Sequence, residues 1–556
     1  MPAKLSDFVL DERVRYGNNR QEDGEDTEQN MNLLLAQDDD VPLSYQEAAK
    51  GNEWRKAMDS ELESIEKNRV WVLTDAPWNQ TPIGLKWLYK IKRDAKGKIT
   101  RHKARLVAKG YVQQLGIDFE DTFAPVARME TIRLILALAG KMGWLVYHLD
   151  VKTAFLHGDL KETVYVKQPE GYERKGEEHK VYKLTKALYG LKQAPRCWNI
   201  KLNGVLKELG FKRCAHEQAV YVRVKGIDIL ILCVYVDDLL LTGNNQAEID
   251  VFKEEMTNKF EMTDMGLLCY YLGIEVIQNE EGILIKQSAY AEKLLEVAGM
   301  KGCNETKVPM EAGLKLHKDD QGNEVDPTHY RRLVGSLRYL THTRPDILYA
   351  VGYVSRFMQE PKESHMKAVK HLIRYIKGTT HYGIKYKRTG GGTLIGYSDS
   401  NFVTDSEDGR STSGNVFFYN DCAVSWQSQK QKTVALSSCE AEFMAATLAA
   451  CQAVWLHGLL EEITVKQQEI VTILVDNKSA IQLMKNPVFH GRSKHISPKY
   501  HFIRQCVDKN QVQVDFVSGN MQKADVLTKA LPLIKFAEMR FMLGVEDLEG
   551  LKPYVS

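Results

Sequence analysis

Residues 228–243, DILILCVYVDDLLLTG, are two apolar stretches of strand character joined at Asp237 and Asp238. Taken alone, two aspartates between strands are more often an ordinary polar turn. Upstream, however, residues 144–155, WLVYHLDVKTAF, run a second apolar strand into Asp150. Two strand ends of this kind can bring three carboxylates to one edge of a sheet. Crowded there, they repel one another unless they hold cations, and hard oxygen ligands favour Mg²⁺. A pair of such ions about 4 Å apart activates a primer 3′-hydroxyl and neutralises a leaving pyrophosphate, which is the chemistry of nucleotide addition.

The rest of the composition bounds this reading. At 556 residues the chain predicts three or four folding units. Its 44% hydrophobic and 27% charged residues match a globular multidomain protein and exclude disorder or collagen as the overall class. No uninterrupted apolar stretch reaches the roughly 18 residues of a spanning helix. The best, 227–241, is broken by Asp228, Asp237 and Asp238, so no membrane partner is expected. The start, MPAKLSDFVLDERVRYG, lacks a secretory signal pattern. Nine cysteines without a CxxC pair read as reduced thiols. An intracellular, cytoplasmic location is therefore expected. The formal charge of +2 hides a basic strip from Lys86 to Lys109, holding Lys90, Lys92, Arg93, Lys96, Lys98, Arg101, Lys103 and Arg105 against one acid, Asp94. Such a strip is either a solvated face or a polyanion-binding one; beside three aspartates it suits a triphosphate and a template backbone.

Residues 1–42 are acidic and polar, with QEDGEDTEQN and Asp38, Asp39 and Asp40, and are expected to be a disordered linker. From Ser44 a helix is predicted, with capping-box spacing to Glu47 and Trp54, Met58, Leu62 and Ile65 on one face. Strands follow, one pair folded back at Asp94–Lys98, and residues 43–290 read as mixed α/β. Residues 291–388 turn helical: Met366, Val369, Ile373 and Ile376 form an apolar stripe. Opposite it, Lys367, Lys370, His371, Arg374 and Lys377 make either a solvated basic face or a duplex-binding one. Glycines 390–392 mark a boundary, after which residues 389–535 alternate strands and helices as a self-contained unit, and 536–556 form a tail.

That last unit holds Asp399 in GYSDSNF, Glu442 in SSCEAEFMAA, Asp476 in ILVDNKSAI and Asp525 in QKADVLTKA. Two of these acids end strands and two sit in helical patterns, which allows a second two-metal site over one sheet, suited to in-line hydrolysis of a phosphodiester. Glu440 competes with Glu442, but lies two positions away on a different side of the helix.

Five blocks now carry a resemblance: KARLVAKGYVQQLGIDFEDTFAPVARMETIRLILALA, LDVKTAFLHGDLKETVYVKQPEGY, LYGLKQAPRCWN, YVDDLLLTG and YYLGIEV. In this order, across about residues 45–290, they resemble the reverse transcriptase of copia-type retrotransposon Pol polyproteins. The C-terminal acids are similar in spacing to the ribonuclease H domain that follows it.

The resemblance implies a right-hand polymerase: fingers and palm with an antiparallel sheet over 43–290, a helical thumb or connection over 291–388, and a ribonuclease H-like α/β domain over 389–535. Asp150, Asp237 and Asp238 would be the polymerase metal ligands; Asp399, Glu442, Asp476 and Asp525 the nuclease ones. Each site would take two Mg²⁺, with Mn²⁺ as the substitute. Phe155 matches the position that blocks a ribose 2′-hydroxyl, Tyr189 and Gly190 the nucleotide pocket, and Leu272 with Gly273 the primer grip. Lys103 and Arg105 match the fingers segment, either one contacting the incoming nucleotide.

Implied partners are an RNA template, a DNA primer, dNTPs and the RNA/DNA hybrid, read by A-form shape and 2′-hydroxyls; an active element would place the protein in a virus-like particle. Two departures stand out. No histidine lies near Asp525, and Ser497 with Pro498 replace an Asp and a small residue, though His495 and His501 keep their places. Zinc-knuckle, aspartic-protease and integrase patterns are missing, so the sequence resembles the last third of a Pol polyprotein, with 1–42 as the end of the preceding region. A catalytically inactive or domesticated nucleic-acid-binding remnant remains the alternative.

Overall fold

The computed structural model describes residues 41–78, 80–93, 99–318, 322–402, 407–485 and 498–554. The acidic segment up to residue 40, the turn at Asp94–Lys98, His495 and Ser497 lie outside the described residues.

Ser44 does cap a helix, its hydroxyl accepting the amide of Glu47, but that helix is only Tyr45–Ala48. The long helix, Asn52–Lys67, begins after Gly51 and buries Trp54, Met58 and Ile65 beneath the ribbon Leu85–Arg93 and Ile99–Ala108. Its spacing of three and four residues gives the apolar stripe that the ribbon covers.

The second element is a six-stranded antiparallel sheet in the order Met262–Leu267, Val146–Val151, Asp238–Gly243, Asp228–Tyr235, Val220–Lys225, Lys212–Arg213. Two-sided burial explains why residues 228–243 read as continuous apolar runs rather than alternating ones: Leu230, Leu232, Val234, Leu239 and Leu241 face one core, and Ile231, Cys233 and Leu240 the other.

A second, five-stranded sheet corrects the expected domain limits. Its order is Tyr270–Tyr271, Ile274–Asn279, Gly282–Lys286, Tyr382–Lys387, Val545–Asp547. Residues 536–556 are therefore not a tail: helix Leu533–Met542 packs its Phe536 and Met539 into the core, and the strand after it pairs with Tyr382–Lys387. Residues 291–388 are not wholly helical either, since they end in that strand.

The third sheet runs Cys422–Lys430, Thr412–Tyr419, Leu394–Asn401, Val471–Val475, Val512–Phe516, the first three antiparallel and the last two parallel to Leu394–Asn401 and to each other. Across it lies helix Ser438–Thr464, 27 residues long and apolar enough by length and composition to cross a membrane. Most of its side chains are buried against the sheet. The unit is not self-contained, contrary to the sequence reading. One continuous apolar core joins Ile132 and Leu134 of helix Met129–Met142, Tyr375 and Ile376 of helix Glu363–Lys377, and Phe417 and Val424 of the third sheet.

The basic face of helix Glu363–Lys377 also has a structural use. His371, Arg374 and Lys377 hydrogen-bond the backbone carbonyls of Val308, Asn304 and Cys303. Three of its five basic residues thus bind this chain's own loop, which weakens the duplex-binding reading.

Candidate active sites

At the first site the antiparallel register sets Asp238 directly opposite Asp150, with Leu239 opposite Leu149 and Leu240 opposite His148. Residues paired this way carry their side chains on one face, with Cα atoms about 5 Å apart. Tyr235 pairs with Asp238 in turn, so Val236 and Asp237 form a two-residue hairpin turn. Val236 has φ of 56°, a conformation that β-branched residues rarely adopt. Such strain costs on the order of 1–3 kcal/mol and persists only when the surroundings impose it. Here the Trp198 indole donates to the Val236 carbonyl at 2.7 Å, and the Val151 amide donates to the Asp237 carbonyl at 3.0 Å.

Burial, with the Asp238 charge second, pushes the Asp237 carboxyl up to about 6, against the pull of Arg105. Asp238 is turned to His148, Oδ1 lying 2.8 Å from Nε2, and the His148 ring stands edge-on to Tyr271 at 5.6 Å. The three aspartates therefore share a sheet edge. Among the described residues, however, their oxygens do not form a ligand group within 4.8 Å of one another.

Phe155, Tyr189 and Arg105 meet beside them. Phe155, in the turn Ala154–His157, has its ring centroid 4.9 Å from that of Tyr189, and the Arg105 guanidinium sits 4.3 Å from the same Tyr189 ring centroid. Gly190 has φ of 87°, and a Cβ there would come within 2.2 Å of the Ala108 carbonyl. The Ala108 amide donates to the Tyr189 carbonyl at 2.7 Å, so the basic ribbon is stitched to residues 189–190 by backbone that favours glycine. Lys103 stands two residues before Arg105 on the same strand, opposite Lys90. Leu272 and Gly273 form a separate hairpin turn with φ of 46° and 72°. The Tyr339 hydroxyl donates to the Leu272 carbonyl and occupies the space a Gly273 side chain would need.

The second site is more tightly drawn. Tyr397 pairs with Leu474 in parallel register, so Asp399 and Asp476, each two residues further on, leave neighbouring strands side by side. Glu442, from the second turn of helix Ser438–Thr464, reaches across to accept the Ser400 amide at 3.0 Å. One oxygen from each of Asp399, Glu442 and Asp476 lies within 4.8 Å of the others. Burial first, then the charges of Asp399 and Asp476, hold Glu442 well above the usual carboxylate range, and its Oε2 is buried without a hydrogen-bond partner. Burial and Asp399 raise Asp476 as well.

Asp525 stands outside that trio and is drawn in by Lys529, whose Nζ is 2.7 Å from Asp525 and 3.8 Å from Asp399. Burial and Asp399 bring its carboxyl to about 6. Glu440 serves the helix end instead: its Oε2 accepts the Leu436 amide at 2.9 Å, while the N-cap Ser437 hydroxyl accepts the Glu440 amide.

The sequence reading did not single out His148, Trp198, Tyr271, Tyr339, Thr528 or Lys529. Two of them had a readable signal. His148 stands two residues before Asp150, on the same strand face, and Lys529 stands four after Asp525. The Thr528 hydroxyl, which donates to Asp399, comes with Lys529.

Both nests fit a divalent cation: crowded carboxylates that push up Asp237 at the first and Glu442 at the second, where one Glu442 oxygen is unpartnered, are relieved by positive charge.

Residues 68–312 match the family described as reverse transcriptase (RNA-dependent DNA polymerase), so the chain carries a domain of the polymerase class. The chain is 40% identical over 92% of its length to a retrovirus-related Pol polyprotein from transposon TNT 1-94 of Nicotiana tabacum, covering 40% of that protein. It is also 32% identical over 54% of its length to a transposon Ty5-1 protein of Saccharomyces cerevisiae, covering 98% of it. The chain belongs to the copia-type retrotransposon Pol polyprotein family, and it spans about two fifths of the length of the tobacco relative. Among solved structures, the N-terminal ribonuclease H domain of Rv2228c from Mycobacterium tuberculosis, fused to maltose-binding protein, is 14% identical, with a TM-score of 0.19, and the match covers 27% of this chain and 98% of that one.

Proposed function

We propose that the chain is an RNA-directed DNA polymerase with ribonuclease H activity, adding dNTPs to a DNA primer on an RNA template and cutting the RNA of the resulting hybrid. The observation that carries it is the register setting Asp238 opposite Asp150, with Asp237 held in a strained turn beside them. In this reading residues 43–290 supply fingers and palm, the helical region after them the thumb or connection, and the third sheet with helix Ser438–Thr464 the nuclease.

Two Mg²⁺ per site, or Mn²⁺ in their place, would lower the pKa of the attacking oxygen and neutralise the leaving one. The remaining work falls to the protein. Arg105, fixed over Tyr189, and Lys103 on the same strand meet the triphosphate with positive charge. The Phe155 ring closes the ribose side of the pocket. Leu272 and Gly273 present a rigid turn to the primer. At the second site Lys529 holds Asp525 and Asp399 in place until substrate arrives.

Primer extension and hybrid cleavage by the purified chain test this reading. Asp237→Asn is expected to cut extension by roughly 10³-fold or more and spare cleavage, while Glu442→Gln does the reverse. Folded protein that extends nothing would overturn the polymerase assignment. Asp238 turned toward His148 favours a second reading, a binding remnant without catalysis. Its signature is salt-sensitive hybrid binding unchanged by Asp237→Asn, with no turnover.

A further inference from the structure

The turn that carries Asp237 needs a hold from outside itself. Val236 stands at φ of 56°, where a β-branched side chain crowds its own backbone, and a hairpin left alone would relax. The Val151 amide, on the neighbouring strand, resists this by donating to the Asp237 carbonyl at 3.0 Å. The Trp198 indole resists it from below, donating to the Val236 carbonyl at 2.7 Å. Trp198 belongs to helix Ala194–Glu208, far from the hairpin in sequence.

Trp198 is fully buried in the core under the sheet, among Val151, Ala154 and Leu239. Its ring is wedged between two others. The Phe260 centroid lies 5.1 Å away at an interplanar angle of 74°, and the His157 centroid 6.1 Å away at 47°. His157 and Phe260 meet each other edge to face at 5.3 Å. Contacts of this geometry fix the orientation of a ring, and with it the direction of the indole N–H.

The same wedge leads to the residues proposed to hold the nucleotide. His157 closes the turn Ala154–His157, which sets Phe155 against Tyr189. Gly158, next along, is pressed onto the backbone of the helix: a Cβ there would come within 2.7 Å of the Trp198 nitrogen and the Cys197 carbonyl carbon. With φ of −75°, Gly158 owes its place to that close approach and not to its backbone conformation. On the other side, the helix of Trp198 begins four residues after Gly190.

We infer that Trp198 is a positioning residue that ties the Val236–Asp237 turn to both walls of the proposed nucleotide pocket and so fixes where the Asp237 carboxylate stands. The inference deepens the polymerase reading and rests on it. Trp198 acts through the backbone, since its bond goes to a carbonyl and not to a carboxylate. One hydrogen bond between neutral groups is modest in itself, but here it opposes the relaxation of a strained residue.

The test uses the full chain and two readouts: single-nucleotide extension, and Mn²⁺ titration of the first nest without nucleic acid in a Glu442→Gln background. Trp198→Phe keeps a ring in the wedge and removes the donor. It should lower kcat about tenfold and Mn²⁺ affinity about fivefold, each the size of one hydrogen bond, with dNTP KM and hybrid cleavage within about twofold. In a Val236→Gly background, where left-handed backbone is free, the same change should cost less than about twofold in both readouts. Equal losses in the two backgrounds would make Trp198 a packing residue and overturn the inference, as would a Trp198→Phe protein that matches wild type. Gly158→Ala should weaken Mn²⁺ binding in the same way by pushing on the Trp198 backbone, and unchanged affinity there would overturn the tie to the pocket. Should Trp198→Phe fail to fold, Gly158→Ala with and without Val236→Gly supplies the same comparison. A wild type that binds Mn²⁺ at the first nest but extends nothing would count against the proposed function, and the Mn²⁺ comparison would still decide the role of Trp198. A wild type that does neither would overturn both.

Discussion

The two acidic nests are assembled to different degrees. Asp399, Glu442 and Asp476 come from two parallel strands and a helix crossing them, and their oxygens already lie within 4.8 Å of one another. Asp150, Asp237 and Asp238 share an edge through strand register, but Asp238 is spoken for by His148 and the oxygens stay apart. The first arrangement is held by a helix cap, a backbone amide on Glu442 and the Lys529 bridge. The second is held by a strained turn. The difference teaches that a nest built over a sheet by a crossing helix can converge before any cation arrives. One built at a hairpin edge keeps a side-chain degree of freedom that ligand or substrate must fix.

The comparison is easiest to break by metal binding without nucleic acid. Manganese titration should find the Asp399 nest occupied first, and Glu442→Gln should weaken that tight binding by about a hundredfold or more, as expected when a charged ligand is removed. Asp150→Asn should leave it unchanged. Equal losses from both variants would erase the distinction.

A smaller effect lies in pH. A carboxyl whose folded pKa is raised contributes stability that is fully present below its unfolded value and lost as pH rises through the folded one. Asp525 and Asp237, each brought to about 6 from 3.8, would each cost about 3 kcal/mol at most once ionised. Asp399 is a common neighbour raising Glu442, Asp476 and Asp525. In chelator, Asp399→Asn should therefore stabilise the protein by about 1–3 kcal/mol at pH 8 and less at pH 5. Asp150→Asn, a minor contributor at Asp237, should shift it by under about 0.5 kcal/mol. Urea unfolding at the two pH values measures both.

The smallest expected change sharpens the account of the first nest. His148→Leu removes the partner that draws Asp238 away, and substrate-free Mn²⁺ affinity there should improve by about threefold, or roughly 0.6 kcal/mol. No change, by titration in a Glu442→Gln background, would mean that His148 is not what keeps the site open.

Much of each site was legible because its signals are local. Asp150 and the 237–238 pair end apolar strands, and the glutamate two positions on from Glu440 falls on a different helix face. The helix from Ser44 was placed too long because Gly51 splits it, a break that the apolar spacing alone does not report. The basic face on residues 367–377 leaves a solvated face and a duplex contact both open, since charge patterning cannot tell water from a neighbouring loop. The supporting shell was mostly invisible for the same reason: Tyr339 reaches Leu272 across 67 residues, and Trp198 reaches Val236 across 38.

By itself, then, the amino-acid order determined which segments are strands and helices, where acids end them, and the family to which the blocks belong, because hydrophobic periodicity and motif spacing act over a few residues. Tertiary structure alone decided that the final strand Val545–Asp547 returns to pair with Tyr382–Lys387, that the Gln278 side chain ties the second sheet to Val146, and that Arg133 ties helix Met129–Met142 to the third sheet. Those contacts join residues far apart along the chain, and a local pattern holds no record of which distant surface will cover it.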